Sequence, residues 1–169
     1  QGDYKDPITR SEFTRLMIAA ISKHEGEDIE EVLKDKNINL DRNIFHDTKD
    51  KFVLAAYKLN IIEGYGNGYF GPEDLLTREQ AAKILRNMVN LFGVYDTNEN
   101  EIKFKDENKF SSWAKEDIKF ITACNIKELN SKIMEGTGEN FNPLGKYTKE
   151  QSYLTVYRLL KYVHQVKNR

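Results

Sequence analysis

Cysteine is almost absent: Cys124 is the single one in 169 residues. One thiol excludes an internal disulfide and a cysteine-rich metal site, though it does not fix the compartment. His24, His46 and His164 are scattered without metal-ligand spacing and read as surface or packing residues. No apolar run approaches the roughly 20 residues of a membrane span, and no signal-peptide pattern is visible. An excess of either charge is also missing. Lys and Arg total 26 against 27 Asp and Glu, a net charge of −1, so nothing overall draws the chain to nucleic acid or an anionic membrane. No parallel-strand pattern accompanies the glycines Gly64, Gly66 and Gly68, and no P-loop lysine follows them. A nucleotide loop is therefore excluded. Gln1 stands close to the first helix start, as expected of a fragment or processed form.

What is present is ordinary globular composition, long enough for a real core and one or two domains. The chain is organised around the stretch Ile61 to Leu85, IIEGYGNGYFGPEDLLTREQAAKIL. Its glycines permit tight turns and Pro72 fixes another bend. Thr77 then reads as a helix N-cap, with Gln80 closing a capping box. Ala82, Leu85 and Val89 continue at helical spacing. Arg78 sits in the first turn, where backbone N–H groups and a cation together favour an anion.

The pattern recurs. Thr9 with Glu12 and Thr148 with Gln151 make two more capping boxes, each about 70 residues from Thr77. The first opens a helix through Phe13, Leu16, Met17 and Ala20 that Gly26 ends; Asp28–Lys36 reads as a short second helix. Phe45-His46-Asp47 opens a unit in which Asp47 or Thr48 caps a helix over about 50–59. The glycine loop follows, then the Thr77 helix, stopped by Gly93, and a polar linker over 94–103. Phe104-Lys105-Asp106 opens the unit again. There Ser111 or Ser112 caps a helix, a loop with Gly136, Gly138, Phe141 and Pro143 follows, and the Thr148 helix closes the chain. The expected division is a partial first repeat plus insertion over 1–43, a complete repeat over 44–98 and another over 99–169. No single repeat can bury its own apolar stripe, so the three must share one core.

These residues resemble the S-layer homology domain of bacterial cell-surface proteins. The resemblance rests on Pro7-Ile8-Thr9-Arg10-Ser11-Glu12, on Phe45-His46-Asp47 with the run from Ala55 to Arg78, and on Phe104-Lys105-Asp106 with Trp113-Ala114 and the run from Gly136 to Gln151. It implies an all-α, pseudo-threefold bundle of helix-loop-helix repeats with long ordered loops, the helices from Thr9, Thr77 and Thr148 near the axis. It also implies non-catalytic anchoring. Grooves between repeats bind an anionic, often pyruvylated, secondary cell wall polymer of Gram-positive-type envelopes, which places the chain outside the cell, at the wall or S-layer. Carried over, the cations are Arg10 and Arg78, with Lys149 where a third arginine would stand and Glu12 as the motif carboxylate. Gly66, Asn67, Gly68, Tyr69 and Asn140 are the loop residues that complete the pockets. Lysine lacks the bidentate fork that suits a carboxylate, so the groove at Lys149 is expected to bind weakly or not at all. The insertion Lys127–Lys132 is expected to cover or reshape a groove.

No cofactor and no metal is implied. The partner is the wall polysaccharide, with no nucleic acid and no membrane span. The alternative is a protein-interaction or surface-assembly module that keeps the fold without the glycan site. An enzyme is disfavoured because no carboxylate pair is set apart by its surroundings. The threonines are structural caps, Asp47 and Asp106 loop-to-helix caps, and Cys124 a buried small apolar residue. Trp113, Phe45, Phe104, Tyr69 and Phe141 are read as core or inter-repeat anchors, Tyr69 with a further capacity to stack on a sugar.

Overall fold

A computed structural model describes residues 4–97 and 99–169. Gln1, Gly2, Asp3 and Asn98, the last within the expected linker, lie outside the described residues. The chain is helical: α1 is Arg10–Glu25, α2 Ile29–Asp35, α3 Lys51–Lys58, α4 Arg78–Leu91, α5 Lys115–Ala123 and α6 Lys149–Lys167. One two-residue hairpin, β1 (Asn125–Ile126) with β2 (Ser131–Lys132), interrupts the third loop. Thr9, Thr77 and Thr148 are N-caps, and all three capping boxes form. Gly26 ends α1 in the left-handed conformation, at φ 74°.

The three helix starts are tied in a closed ring of backbone hydrogen bonds. Ile8 N donates to Tyr147 O at 2.9 Å, Tyr147 N to Leu76 O at 2.8 Å, and Leu76 N to Ile8 O at 2.9 Å. Each is the residue before a capping threonine, and Ile8, Leu76 and Tyr147 are all buried. Beyond the ring, α1 packs on α3, α4 on α5, and α6 on both α1 and α4. Phe13, Met17, Leu54, Leu85, Met88 and Tyr162 fill the shared core.

Asp47 and Asp106 do not cap helices. Asp47 accepts from Phe70 N (2.9 Å) and Gly71 N (2.8 Å), and Asp106 from Phe141 N and Asn142 N, both at 2.8 Å. Each carboxylate clamps the far end of its own repeat's loop, whose N–H groups would otherwise lack partners. Asp50 is the α3 cap. Helix α5 starts later than Ser111 or Ser112 would place it and has no side-chain cap. Ser111 instead donates its N–H (3.1 Å) and hydroxyl (2.6 Å) to Glu79, because that carboxylate is buried and needs donors.

The Phe-x-Asp phenylalanine packs over the loop's first glycine. A Cβ on Gly64 would lie 2.6 Å from Phe45 Cε1 and 2.9 Å from Tyr69 O, and one on Gly136 would strike Phe104 and Asn140 O. The hairpin is clipped to α6, where Gln165 donates to Asn125 O and accepts from Lys127 N, and Lys161 pairs with Glu128.

Burial of the Asp47 carboxyl works to raise its pKa, but the Phe70 and Gly71 N–H donors outweigh this and hold it below the usual carboxylate range. A depressed folded-state pKa stabilises the protein above the unfolded value near pH 4, and that stabilisation is lost as pH falls through the folded value. Asp47→Asn should therefore lower the urea midpoint at pH 7 and flatten its fall between about pH 4 and pH 2, as urea titrations across that range would register.

Candidate functional site

The first three N–H groups of a helix have no partner within it. In α1 they donate to Asp74 O (2.8 Å), Pro72 O (3.0 Å) and Thr9 Oγ1 (3.2 Å). In α4 they donate to Gly145 O, Pro143 O and Thr77 Oγ1, and in α6 to Asp6 O, Tyr4 O and Thr148 Oγ1. The loops of the second and third repeats thus cap the helices of the repeats before them. The expectation that these N–H groups would hold an anion is overturned, since protein carbonyls already occupy them.

The arginines are struts in the same joints. Arg10 Nε donates to Phe70 O and Nη2 to Glu63 O, both at 3.0 Å. Arg78 Nε donates to Phe141 O at 2.8 Å and Nη2 to Glu135 O at 2.6 Å. Each fork therefore spans both sides of the neighbouring glycine loop. Arg10 lies 4.9 Å from the Tyr65 ring centre and 4.6 Å from that of Phe70; Arg78 lies 4.9 Å from Phe141. Burial lowers both guanidinium pKa values, yet arginine keeps its proton. Among the described residues neither joins a direct ion pair; Asp74 and Asp47 near Arg10, and Asp106 near Arg78, favour the charged forms from a longer range.

The two part company in what they face. Arg10 opens on a cleft of about 380 Å³ walled by Ile61 to Tyr65, by Gln80, Lys83, Ile84 and Asn87 of α4, and by Trp113 ahead of α5. Lys83 Nζ stands 5.5 Å from the Trp113 ring centre and 3.2 Å from Glu63 Oε2. Trp113 is 47% exposed, so of its two readings, core or inter-repeat anchor, the first is corrected while its contact with Lys83 fits the second; Tyr69, 48% exposed, is not core either. Phe45, Phe104 and Phe141 are buried as expected. Arg78 is not among the residues lining this cleft.

The other expected site residues are dispersed. Glu12 accepts from Thr9 N within its capping box. The half-buried Lys149 makes no side-chain hydrogen bond or ion pair among the described residues. Gly66, Asn67, Gly68 and Tyr69 form the outer turn of the second loop, where Asn67 Oδ1 accepts from Tyr69 N and Tyr69 lies against His46. None of these four lines the Arg10 cleft. Asn140 borders a separate hollow with Asp106, Lys109 and Leu144. The inserted hairpin sits on α6 and does not line the Arg10 cleft. No cluster of potential metal ligands occurs among the described residues. Cys124 is buried, which raises its thiol pKa to about 12. Lys83 and Glu63 escaped the sequence reading. The available signal was register: Lys83 stands five residues past Arg78, as Arg15 does past Arg10.

A ring of cross-capped helix starts, with one cleft carrying two cations and an exposed indole, defines a repeat-built helical module. Residues 45–82 match the S-layer homology domain. The chain's relatives are large. It is 28% identical over 157 residues to an endoglucanase of Bacillus sp. (strain KSM-635), covering 92% of this chain and 15% of that protein. It is 29% identical over 161 residues to exoglucanase XynX of Acetivibrio thermocellus, covering 91% and 13%. Against an amylopullulanase of Thermoanaerobacterium thermosulfurigenes it is 27% identical over 161 residues, covering 91% and 8%. The chain thus spans less than a sixth of each relative's length. Domains of this family occur in cell-surface proteins and commonly anchor them to the wall. Among the described residues, no helix is long and apolar enough to cross a membrane.

Arg78→Ala should destabilise the fold by about 2–4 kcal/mol, since it strips partners from Phe141 O and Glu135 O and removes ring contacts. Arg78→Lys should recover part of that loss. Urea unfolding followed by circular dichroism measures both.

Proposed function

We propose that this chain is a non-catalytic attachment module that holds an anionic, pyruvylated secondary cell wall polymer of a Gram-positive-type envelope in the cleft between Arg10 and Trp113. It would work outside the cell, at the wall or S-layer, as one domain of a partial repeat over 1–43 and complete repeats over 44–98 and 99–169. The observation that carries the reading is the pairing of two cations with an exposed indole in one cleft. The Arg10 guanidinium is buried and carbonyl-held, so it is pre-organised, with no direct ion pair to be broken. Lys83 has one, with Glu63, which an acidic sugar would replace. The indole of Trp113 offers a face on which a pyranose ring can stack. Arg78, enclosed by its own joint, serves the architecture in this reading, and Lys149 lacks the fork for a carboxylate.

The alternative, an assembly module without a glycan site, draws on the apolar stripe that α6 exposes. Co-sedimentation with purified wall polysaccharide separates the two. Wild type should bind the intact polymer and lose binding when the pyruvate ketals are removed. Trp113→Ala and Lys83→Met should each weaken binding about tenfold, the scale of one cation–π or stacking contact in a desolvated site, with thermal melts unchanged. Undiminished binding by the double variant would reject the cleft. Binding that survives ketal removal would reject the acidic sugar, and no binding at all would favour assembly.

A further inference from the structure

We infer that the Asn67–Gly68 pair in the outer turn of the second loop is a self-modification site, at which the native fold promotes conversion of Asn67 to aspartate and isoaspartate through a cyclic imide. Asn67 is the one asparagine in the chain that a glycine follows. After every other asparagine stands a residue whose side chain hinders attack by its own main-chain nitrogen. Asn67 is exposed and Gly68 half-buried, so both can be reached by water. Gly68 stands at φ 82°, and its N–H has no acceptor among the described residues, which leaves the nitrogen free to react. The Asn67 amide is already oriented. Its Oδ1 accepts from Tyr69 N at 3.1 Å, the N–H that meets the negative charge this oxygen gains when Cγ is attacked. A proton acceptor is beside it. A Cβ on Gly68 would lie 2.6 Å from both Cδ2 and Nε2 of His46, so that edge of the imidazole rests on Gly68 Cα, one bond from the N–H. His46 N also donates to Gly68 O at 2.8 Å, and its ring lies against Tyr69. Imidazole is the side chain best suited to taking a proton near neutral pH.

The step needs no co-reactant but water. Gly68 N bonds to Asn67 Cγ while its proton passes to His46 Nε2. The Cγ–Nδ2 bond then breaks, and that proton leaves with the amide nitrogen as ammonia. Water opens the imide at either carbonyl: at the side-chain carbon it gives aspartate, at the main-chain carbon isoaspartate. Each product adds one negative charge, and isoaspartate also adds a methylene to the main chain. The third repeat does not share the site. There Thr137 N donates to Asn140 O and Lys105 N to Glu139 O, as Tyr65 N does to Tyr69 O and His46 N to Gly68 O in the second. Gly138 and Glu139 alone span that turn, against Gly66, Asn67 and Gly68 here, so the longer turn has the slack that ring closure requires. The consequence falls on Arg10. Its fork braces Glu63 O and Phe70 O on the two sides of this loop, and Tyr65 lies 4.9 Å from its guanidinium. A methylene inserted between Tyr65 and Tyr69 strains the hydrogen bond that joins them, and through it the Arg10 joint.

The proposal is independent of glycan binding. Incubating the folded chain at neutral pH in heavy-oxygen water, with peptide mass spectrometry at intervals, tests it. Asn67 should turn into labelled aspartate and isoaspartate while the other asparagines stay intact, and faster in the folded chain than in the same chain unfolded in urea. His46→Phe keeps a ring over Gly68 without a proton acceptor, and His46→Gln removes the ring; each should slow conversion about tenfold or more. Free imidazole should restore part of the rate to His46→Gln, which a merely structural role for His46 would not allow. Slower conversion in the folded chain than in urea means that the turn shields Asn67 and overturns the proposal. Aspartate without isoaspartate marks direct hydrolysis and overturns it too, and undiminished rates in both His46 variants overturn the part given to the imidazole. The isoaspartyl form, separated by ion exchange, should unfold at a lower urea concentration than fresh protein; an unchanged midpoint overturns the coupling to Arg10.

Discussion

The structure depends on one constraint: the N-terminal N–H groups of each principal helix must find acceptors, and a capping threonine supplies only one. The remaining acceptors come from the loop of the neighbouring repeat, as Asp74 and Pro72 do for α1 and Gly145 and Pro143 for α4. The ring through Ile8, Leu76 and Tyr147 closes this dependence on itself. A repeat cut out of the chain would leave one helix uncapped and deprive another of its cap. Cooperativity therefore comes from backbone hydrogen bonds as much as from the shared apolar core.

The arginines extend the constraint into side chains. Burying a guanidinium is costly unless its donors are satisfied, and carbonyl oxygens satisfy them here without cancelling the charge. The fork is what allows one residue to bind both sides of a glycine loop: Glu63 and Phe70 for Arg10, Glu135 and Phe141 for Arg78. A buried cation solvated by dipoles projects its field wherever the packing opens. At Arg10 it opens beside Trp113 and Lys83. At Arg78 the ring of Phe141 and the buried Tyr147 close over the group. Identical motif positions thus separate into a strut that also faces a cleft and a strut alone.

Much of the fold was legible because it is written in local chemistry. Threonine followed three residues later by Glu or Gln specifies a capping box through short-range geometry alone, and all three formed. The apolar spacing of α1 and α4 specifies their buried faces in the same way. What was not legible is what depends on distant partners. Asp47 looks like a cap because it precedes a helix, but its acceptors are claimed by Phe70 and Gly71, more than twenty residues on. Ser111 looks like a cap until the buried Glu79 is seen to need its donors. Trp113 looks like core because tryptophan is large and apolar; only the packing of α4 against α5 reveals that its ring is left at a cleft mouth. At the site, the motif named Arg10, which lines the cleft, whereas Lys83 and Glu63 come together only once loop and helix are placed.

A symmetry held by the backbone leaves side chains free to diverge. The three ring bonds use only main-chain groups, so nothing in them requires equivalent helix positions to match, and they do not: Phe13, Ala81 and Ser152 are equivalent and all buried, at very different volumes. A threefold enforced by side-chain packing would punish such differences. Because the joints are main-chain hydrogen bonds, one seam can gather Lys83 and Trp113 while the equivalent position on α6 becomes Leu154 and faces outward. Specialisation of a single cleft in a threefold frame is therefore a direct consequence of how the frame is held.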